Sequence, residues 1–431
     1  MALIEKFKTG SFLHGAFLLA GGSGLGGLAT WAVAPLLSRL FTPGDFAIYG
    51  AMSSLTMLLG LFISLRMELA LPLPMHDDEA RHVFGLGICA AVIFSVLLAV
   101  ILIPFHSIIT SALRIPNLVS AILWLPVGGL LIGLNQMQVY WAIRKSRIPA
   151  LSAAKITQGC IQAGTQAGAG YAALGALGLY GGDVLARGAA VFVLALNSWR
   201  NDSFQFSKFS RVGMAAAWTR YRRFSGLAML SAVFNVLGQE WPVLWLTWNF
   251  SSVETGAFVF THRLLWLSIT MLGQAMGQVY TTKASALLRE NPKGLEKLFL
   301  KTAILHAGSG ALPCLILAGW GSEIFVGVFG TPWREAGHIA QELAGTYWAM
   351  WLVAGFWPTL NLFEKLRTQL AWDILRWAGV ALGMWWVTEP GVPALEAVRI
   401  FGAVQAVVYL LFTGLTWQAI RQRKKHSSET K

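Results

Sequence analysis

Charged residues are scarce in this chain. Only 12% of its 431 residues are Asp, Glu, Lys or Arg, whereas 55% are hydrophobic. A soluble domain carries about twice that charged fraction, so the composition excludes a soluble enzyme or a soluble binding module. The apolar residues form long runs, and residues 9–38 contain no charged side chain. Because a helix of about 20 such residues crosses the hydrocarbon core of a bilayer, the sequence predicts an all-α polytopic membrane protein.

Cysteines and nucleotide-binding loops are also rare or missing. The three cysteines, Cys89, Cys160 and Cys314, all fall in apolar segments, so no disulfide framework is implied. The sequence has no Walker loop, no H-E-x-x-H and no G-x-S-x-G, and we predict no cofactor. Residues 22–27 match G-x-G-x-x-G, but they lie inside the first apolar run, where no strand can precede them. Close packing of small residues, or helix flexibility, is the better interpretation.

The chain has a net charge of +13. Its basic residues are concentrated in the loops between the predicted spans, which is typical of a membrane protein and does not indicate nucleic-acid binding. We predict two lobes of six helices, at residues 1–210 and 211–420, and a basic tail at 421–431. When the loops are assigned alternately to the two sides, most Lys and Arg fall on one side with both termini. This positive-inside pattern predicts that both termini are cytoplasmic. The twelve predicted spans are 11–37, 47–65, 83–104, 119–142, 151–173, 179–199, 223–248, 256–282, 298–320, 339–360, 371–388 and 394–418.

One short stretch suggests an internal repeat. FTPGDFAIY at 41–49 follows the first span, and FSSVETGAF at 250–258 follows the seventh. In this alignment Thr42 corresponds to Ser251 and Asp45 to Glu254. The alternative is chance similarity in a short window. Two lobes of six spans would share one orientation and be related by an axis along the membrane normal, an arrangement seen in transporters.

Several stretches, in order along the chain, resemble the Wzx-type lipid-linked oligosaccharide flippases. These are polysaccharide biosynthesis proteins of the multidrug, oligosaccharidyl-lipid and polysaccharide exporter superfamily. The chain departs from the family's pattern in three respects. It has no proline shortly after Arg263, and it carries the charged Glu240 where an uncharged residue is expected. It also has twelve predicted spans, whereas many members have fourteen. The resembling stretches are LSRLFTPGDF at 37–46, LRMELAL at 65–71 with DDEA at 77–80, IRKSR at 143–147 with GALGL at 175–179, Gly256 with Arg263, FGTPW at 329–333 with Ala336 and Gly337, and AWDILR at 371–376.

The resemblance implies a function and an architecture. Two six-helix lobes would surround a central cavity that opens alternately to each side of the bacterial inner membrane. The expected substrate is an undecaprenyl-diphosphate-linked oligosaccharide, and no covalent chemistry is required, so the chain is not expected to be an enzyme. The expected partners are membrane lipids, a polysaccharide polymerase and a chain-length regulator.

Charged residues inside the predicted spans are the first candidates for a site, because an intramembrane charge usually has a partner or a function. Arg187, Arg376 and Arg399 each have a carboxylate three or four residues away on the same helix, whereas Arg263 has none. Glu240, on the preceding span, lies at a similar depth, about 10–12 Å from the outward face at 1.5 Å per residue. The two either form an interhelical salt bridge, or Arg263 binds the diphosphate in a water-filled cavity.

Arginine suits phosphate recognition, because its planar guanidinium group can donate hydrogen bonds to two phosphate oxygens at once. We expect Arg263, Arg187, Arg39 and Arg376 to contribute to the cationic site. Protonation of Glu240 would release Arg263, and this step would couple proton movement to the alternating access of the cavity.

Glutamines recur every fourth residue on two spans, which places them on one face of each helix. They either make interhelical hydrogen bonds or form a polar cavity wall that binds sugar hydroxyls. The candidates are Gln158, Gln162 and Gln166 on the fifth span and Gln274 and Gln278 on the eighth.

Two other functions remain open from the sequence. A multidrug-type small-molecule exporter would share the architecture, but its cavity would carry net acid for a cationic drug. A membrane-embedded polysaccharide polymerase or ligase would need catalytic groups in a large outward loop, and the short predicted outward loops argue against it.

Overall fold

Helices form nearly the whole of the described chain. A computed structural model describes residues 9–112, 122–202, 210–222, 227–290, 292–363, 365–387 and 391–429. Within these ranges there are fourteen α-helices and no strands. The first seven are α1 (Thr9–Leu40), α2 (Pro43–Ile63), α3 (Asp77–Ala112), α4 (Leu125–Arg144), α5 (Ile148–Tyr171), α6 (Gly175–Asp202) and α7 (Arg211–Tyr221). The others are α8 (Leu227–Asn249), α9 (Ser252–Glu290), α10 (Pro292–Phe329), α11 (Arg334–Ala354), α12 (Thr359–Leu362), α13 (Leu366–Trp385) and α14 (Ala394–Glu429).

The long helices coincide with the predicted spans. Each of the twelve spans overlaps one long helix; the short α7 lies between spans, and the short α12 begins at the end of the tenth span. Six helical stretches in the described chain are long and apolar enough by composition to cross a membrane. These are Pro43–Ile63, Asp77–Ile108, Gly175–Asp202, Ser252–Gly273, Gly294–Phe329 and Ala394–Gln422. The all-α, multi-pass prediction is supported, whereas the count of twelve crossings and the cytoplasmic termini stay predictions.

The chain packs as two compact units, Met1–Gly256 and Ala257–Lys431. The first unit contains α1 to α8 and the first residues of α9. The second contains the rest of α9 and all later helices. The proposed division into lobes at 1–210 and 211–420 stays a prediction.

The repeated stretch forms the same local structure twice. At the start of α2, the Thr42 backbone N–H donates to the Asp45 carboxylate (2.9 Å), and the Asp45 N–H donates to Thr42 Oγ1 (3.2 Å). At the start of α9, the Ser251 N–H donates to the Glu254 carboxylate (3.1 Å), and the Glu254 N–H donates to Ser251 Oγ (3.3 Å). Both are capping boxes, in which two otherwise unpaired backbone donors are satisfied reciprocally. The aligned residues therefore have equivalent structural roles.

The glycine motif of the first helix packs α1 against α5. A Cβ on Gly26 would collide with the carbonyl oxygen of Lys155, and a Cβ on Gly159 would collide with the carbonyl oxygen of Gly26. Only residues without side chains allow the two backbones to approach so closely. The interpretation of residues 22–27 as a packing motif is confirmed.

The predicted loop between the two halves contains α7. Ser210 caps this helix by accepting a hydrogen bond from the Gly213 N–H at 2.9 Å. Its Ala217 and Tyr221 are buried against Phe84 and Trp141 in the first unit. The many arginines around this segment are typical of a solvated loop, and the sequence did not predict its helix of 11 residues.

Candidate functional site

An ion pair lies inside the sixth helix. Arg187 donates from Nε (3.0 Å) and Nη2 (2.9 Å) to the same oxygen, Oδ2, of Asp183. The Asp183 side chain is 5% exposed and the Arg187 side chain 17%, so the aspartate is enclosed while the arginine side chain as a whole is partly exposed. The intrahelical pairing predicted from the four-residue spacing is confirmed.

A second carboxylate, on another helix, interacts electrostatically with the same arginine. Glu240, on α8, interacts electrostatically with Arg187. Its Oε2 accepts a hydrogen bond of 2.6 Å from Ser54 Oγ on α2. Arg187 thus forms an ion pair with the carboxylate on its own helix and interacts electrostatically with a second carboxylate on α8.

A second cation completes the group. Lys155 is exposed on α5 and interacts electrostatically with Arg187. We refer to Lys155, Asp183, Arg187 and Glu240 as the charge cluster. With all four groups ionised, its charges sum to zero. Protonation of Glu240 would leave it with one net positive charge.

Hydroxyl groups on α2 join the helices that carry this cluster. Thr56 Oγ1 donates to the Met52 carbonyl oxygen at 2.6 Å. A hydroxyl has one hydrogen to donate, so the 2.6 Å contact between Tyr180 Oη and Thr56 Oγ1 is a bond donated by Tyr180. Ser54 therefore links α2 to α8, and Thr56 links α2 to α6.

The glutamines of the fifth span differ in what they contact. Gln166 is 2% exposed, and its Nε2 donates to the Leu179 carbonyl oxygen on α6 at 2.8 Å. This contact supports the interhelical-bond alternative for Gln166. Gln162 is 7% exposed, and in the described chain its Nε2 donates no hydrogen bond. Gln158 is half-buried. Lys155 lies on the same face of the helix as these three, because the spacing is three, seven and eleven residues.

The second unit holds Arg263 and Arg376 in different surroundings. Arg263 is half-buried on α9, next to His262, whose Nδ1 lies 2.8 Å from Tyr347 Oη. Arg376 is 1% exposed. Its guanidinium lies 5.0 Å from the Trp372 ring centroid, and its Nη1 donates to Tyr409 Oη at 3.2 Å. Such burial among aromatic rings favours a structural role for Arg376, and its contact with substrate stays a prediction.

The remaining predicted site residues are less informative. Arg39 is exposed in the last turn of α1. The side chains of Gln274 and Gln278 lie outside the described residues. Glu240 belongs to the first unit and Arg263 to the second, and their direct pairing stays a prediction.

The basic motif at 143–147 stabilises one end of the first unit. Arg144 donates to the carbonyl oxygens of Leu71 (3.2 Å) and Pro74 (2.7 Å) and pairs with Asp77 at 3.1 Å. Arg147 pairs with Asp202. The cations that contributed to the family resemblance here therefore have structural partners of their own.

The sequence did not reveal several residues of the site. Lys155 lies near the start of the fifth predicted span and was not among the predicted site residues, although its position in the glutamine pattern was a usable signal. Ser54, Thr56 and Tyr180 gave no signal, because single hydroxyls are common in membrane helices.

Comparisons with known proteins agree with this architecture. A MATE transporter in complex with MaD3S matches with a TM-score of 0.61 at 14% identity, over 95% of this chain and 96% of that chain. An inward-facing multidrug resistance MATE family transporter of the MOP superfamily matches with a TM-score of 0.58 at 14% identity, over 95% and 96%. The outward-facing conformation of such a transporter gives 0.56 at 13% identity, over 94% and 96%. Identities this low show the fold alone.

Sequence comparison identifies the family. No curated protein sequence matches the chain. A family model described as polysaccharide biosynthesis protein matches residues 36–337, more than two thirds of the chain. The chain therefore belongs to the polysaccharide biosynthesis protein family, and it has the fold of the MATE transporters.

Proposed function

We propose that this protein moves undecaprenyl-diphosphate-linked oligosaccharide units across the bacterial inner membrane by alternating access, for polysaccharide export. The family description supports a role in polysaccharide biosynthesis. The fold supports transport, since related folds are known in inward-facing and outward-facing conformations. A lipid-linked intermediate is the form in which such a pathway presents sugars to a membrane.

The charge cluster of the first unit carries the proposal. A diphosphate needs a cation that is available for binding, and Arg187 is partly accessible while held by Asp183. With Glu240 ionised, the cluster has no net charge. With Glu240 protonated, the cluster has one net positive charge and favours an anion. Binding of the proton and of the diphosphate would then be mutually reinforcing, as linkage requires.

The other parts of the substrate need different surroundings. Gln158 and Gln162 lie on the helix face that also carries Lys155, where they could hydrogen-bond sugar hydroxyls. Arg263 is the candidate cation of the second unit and would meet the diphosphate in another state of the cycle. The polyprenyl tail would stay in the bilayer.

Small-molecule export is the second candidate, and the MATE fold favours it. The two carboxylates of the cluster would suit a cationic compound when both are ionised. The two functions differ in the sign of the bound charge. An anionic diphosphate should bind more tightly to Glu240→Gln, whereas an organic cation should bind less tightly.

A deletion strain tests the proposed function. Lipid-linked repeat units should accumulate on the cytoplasmic leaflet, and the intact gene should restore their export. Arg187→Gln should fail to restore export, while Arg220→Ala, which alters an exposed arginine on α7, should restore it. Normal distribution of lipid-linked units in the deletion strain, together with sensitivity to cationic compounds, would favour the exporter instead.

A further inference from the structure

The first turns of α10 carry two lysines that lie one helical turn apart. Lys297 and Lys301 are both exposed, and neither forms an ion pair within the part of the chain that the structure describes. Like charges at this spacing repel each other on a helix, so the pair is unfavourable when no anion is bound. The neighbouring carboxylate has another cation, since Glu296 Oε1 lies 3.8 Å from Arg421 Nε. The two lysines are therefore available to an anion from outside the chain.

A groove of about 530 Å³ runs along the same face of α10. Its residues recur at spacings of three and four, which places them on one side of a helix. Ile304 is 71% exposed and Leu305 54%, and both lie deeper in the predicted span than the lysines. The face therefore changes from cationic to apolar within about 12 Å of helix. The groove is lined by Lys297, Leu300, Lys301, Ile304 and Leu305.

The opposite face of α10 is packed into the second unit. Phe299 and His306 are buried. The Phe299 ring centroid lies 4.7 Å from that of Phe356 and 5.5 Å from that of Trp417. In contrast, only 22% of the most apolar stretch within Gly294–Phe329 is buried. The groove thus faces away from the core of its own unit.

The dimensions of this face match one leaflet of a bilayer. The polar headgroup layer is about 5–8 Å thick on each side of the hydrocarbon core. Lys297 and Lys301 are about 6 Å apart along the helix, so both ammonium groups can lie at the level of the headgroups. Lysine side chains reach that level readily because their stems are long and flexible. Ile304 and Leu305 would then contact acyl chains.

We propose that this groove binds an anionic phospholipid of the inner leaflet, with its phosphate on Lys297 and Lys301 and its acyl chains along Ile304 and Leu305. The leaflet follows from the prediction that the loop before α10 is cytoplasmic. A zwitterionic phospholipid has the same phosphate but also a compensating cation, so the groove should prefer the anionic lipid. The inference does not depend on the proposed function, because the ligand is a resident lipid and not the transported one.

Fluorescence quenching at the groove tests the lipid site. In a full-length background with Cys89, Cys160 and Cys314 replaced by serine, a bimane fluorophore is attached at Ile304→Cys. The protein is reconstituted in vesicles that contain increasing fractions of brominated phosphatidylglycerol or brominated phosphatidylcholine, each of which quenches bimane on contact. We expect phosphatidylglycerol to quench at the lower fraction.

Variants of the two lysines show whether they cause this preference. Lys297→Gln with Lys301→Gln should lower the preference by roughly fivefold for each lysine removed, whereas Lys297→Arg with Lys301→Arg should keep it. The matched control is Lys283→Gln with Lys365→Gln. It removes the same charge from the same predicted side of the membrane but outside the groove, and it should leave the preference unchanged.

Three results would overturn the proposal. The first is an equal preference in the glutamine pair and the intact pair. The second is the absence of quenching by either brominated lipid, because protein would then cover this face. The third is relief of the phosphatidylglycerol quenching by unbrominated undecaprenyl diphosphate but not by the same fraction of unbrominated phosphatidylglycerol. The groove would then select the polyprenyl lipid and not a phospholipid.

Discussion

Ser54 donates a hydrogen bond of 2.6 Å to the carboxylate of Glu240 and so joins the second helix to the eighth. Ser54 itself is 1% exposed. The bond fixes the orientation of a carboxylate that also interacts with Arg187 on the sixth helix. One acidic side chain on α8 therefore accepts a hydrogen bond from α2 and interacts electrostatically with α6.

Removing this hydroxyl should affect both stability and function. We expect Ser54→Ala to lower the free energy of unfolding by about 1–3 kcal/mol, because a charged acceptor loses its buried donor. The pH dependence of substrate binding should also shift, which a purely structural role would not cause. Ser53→Ala is the matched control, since the neighbouring Ser53 Oγ is buried without a hydrogen bond in the described chain. Equal melting temperatures and equal pH profiles for the two variants would contradict the assignment.

The Asp183–Arg187 pair allows folding to be separated from function. Arg187→Gln alone should destabilise the protein by about 3–5 kcal/mol, because it leaves a buried carboxylate uncompensated. The double variant Asp183→Asn with Arg187→Gln should recover most of that loss, since neither charge remains. Binding of the diphosphate lipid should stay abolished in the double variant. Recovery of both stability and binding would show that Arg187 is only structural.

Glu240→Gln mimics the protonated carboxyl. While Asp183 is ionised and Lys155 and Arg187 are protonated, the variant cluster carries one net positive charge, so we expect tighter binding of an undecaprenyl-diphosphate lipid at neutral pH than in the unmodified protein. Binding by the unmodified protein should strengthen as pH falls, while the variant should show little dependence. Titrating the lipid into purified protein at several pH values measures both. Weaker binding by the variant would argue against an anionic ligand at this site.

Tyr180→Phe tests the link between α2 and α6. The Thr56 hydroxyl keeps its bond to the Met52 carbonyl, so only the bond donated by Tyr180 is lost. A destabilisation of about 0.5–1.5 kcal/mol is expected for one neutral hydrogen bond. Tyr171→Phe, at an exposed tyrosine on α5, should change thermal stability little. A Tyr180→Phe protein as stable as this control would mean that the bond does not contribute.

Local spacing made part of this site predictable. The Asp183–Arg187 and Glu396–Arg399 pairs follow from separations of four and three residues on a helix, and both ion pairs are present. Arg399 also pairs with Glu342 on α11, at 2.8 Å, and no spacing rule could have shown this. The twelve helix positions followed from hydropathy, because apolar runs and helices coincide in membrane proteins.

Ser54, the described hydrogen-bond partner of Glu240, was not predictable in the same way. Counting depth on consecutive antiparallel helices pointed to Arg263, on the next helix. Depth along a helix does not give the direction in which a side chain points, and helix packing decides that. The described hydrogen bond of Glu240 is with Ser54 on α2, and its electrostatic interaction is with Arg187 on α6; both residues lie more than fifty positions away in sequence. Lys155 was missed for a related reason, since its depth, four residues inside the predicted start of the fifth span, does not show which groups its side chain approaches.

Reconstitution tests the central claim most directly. Purified protein in proteoliposomes should expose an undecaprenyl-diphosphate-linked oligosaccharide, initially confined to one leaflet, to a sugar-specific probe on the other side. The proposed account predicts transfer by the intact protein and by Arg220→Ala, and none by the stable double variant of Asp183 and Arg187. Equal transfer by intact protein and double variant would contradict the role of the charge cluster. Absence of transfer by the intact protein, together with export of an organic cation, would contradict the proposed function itself.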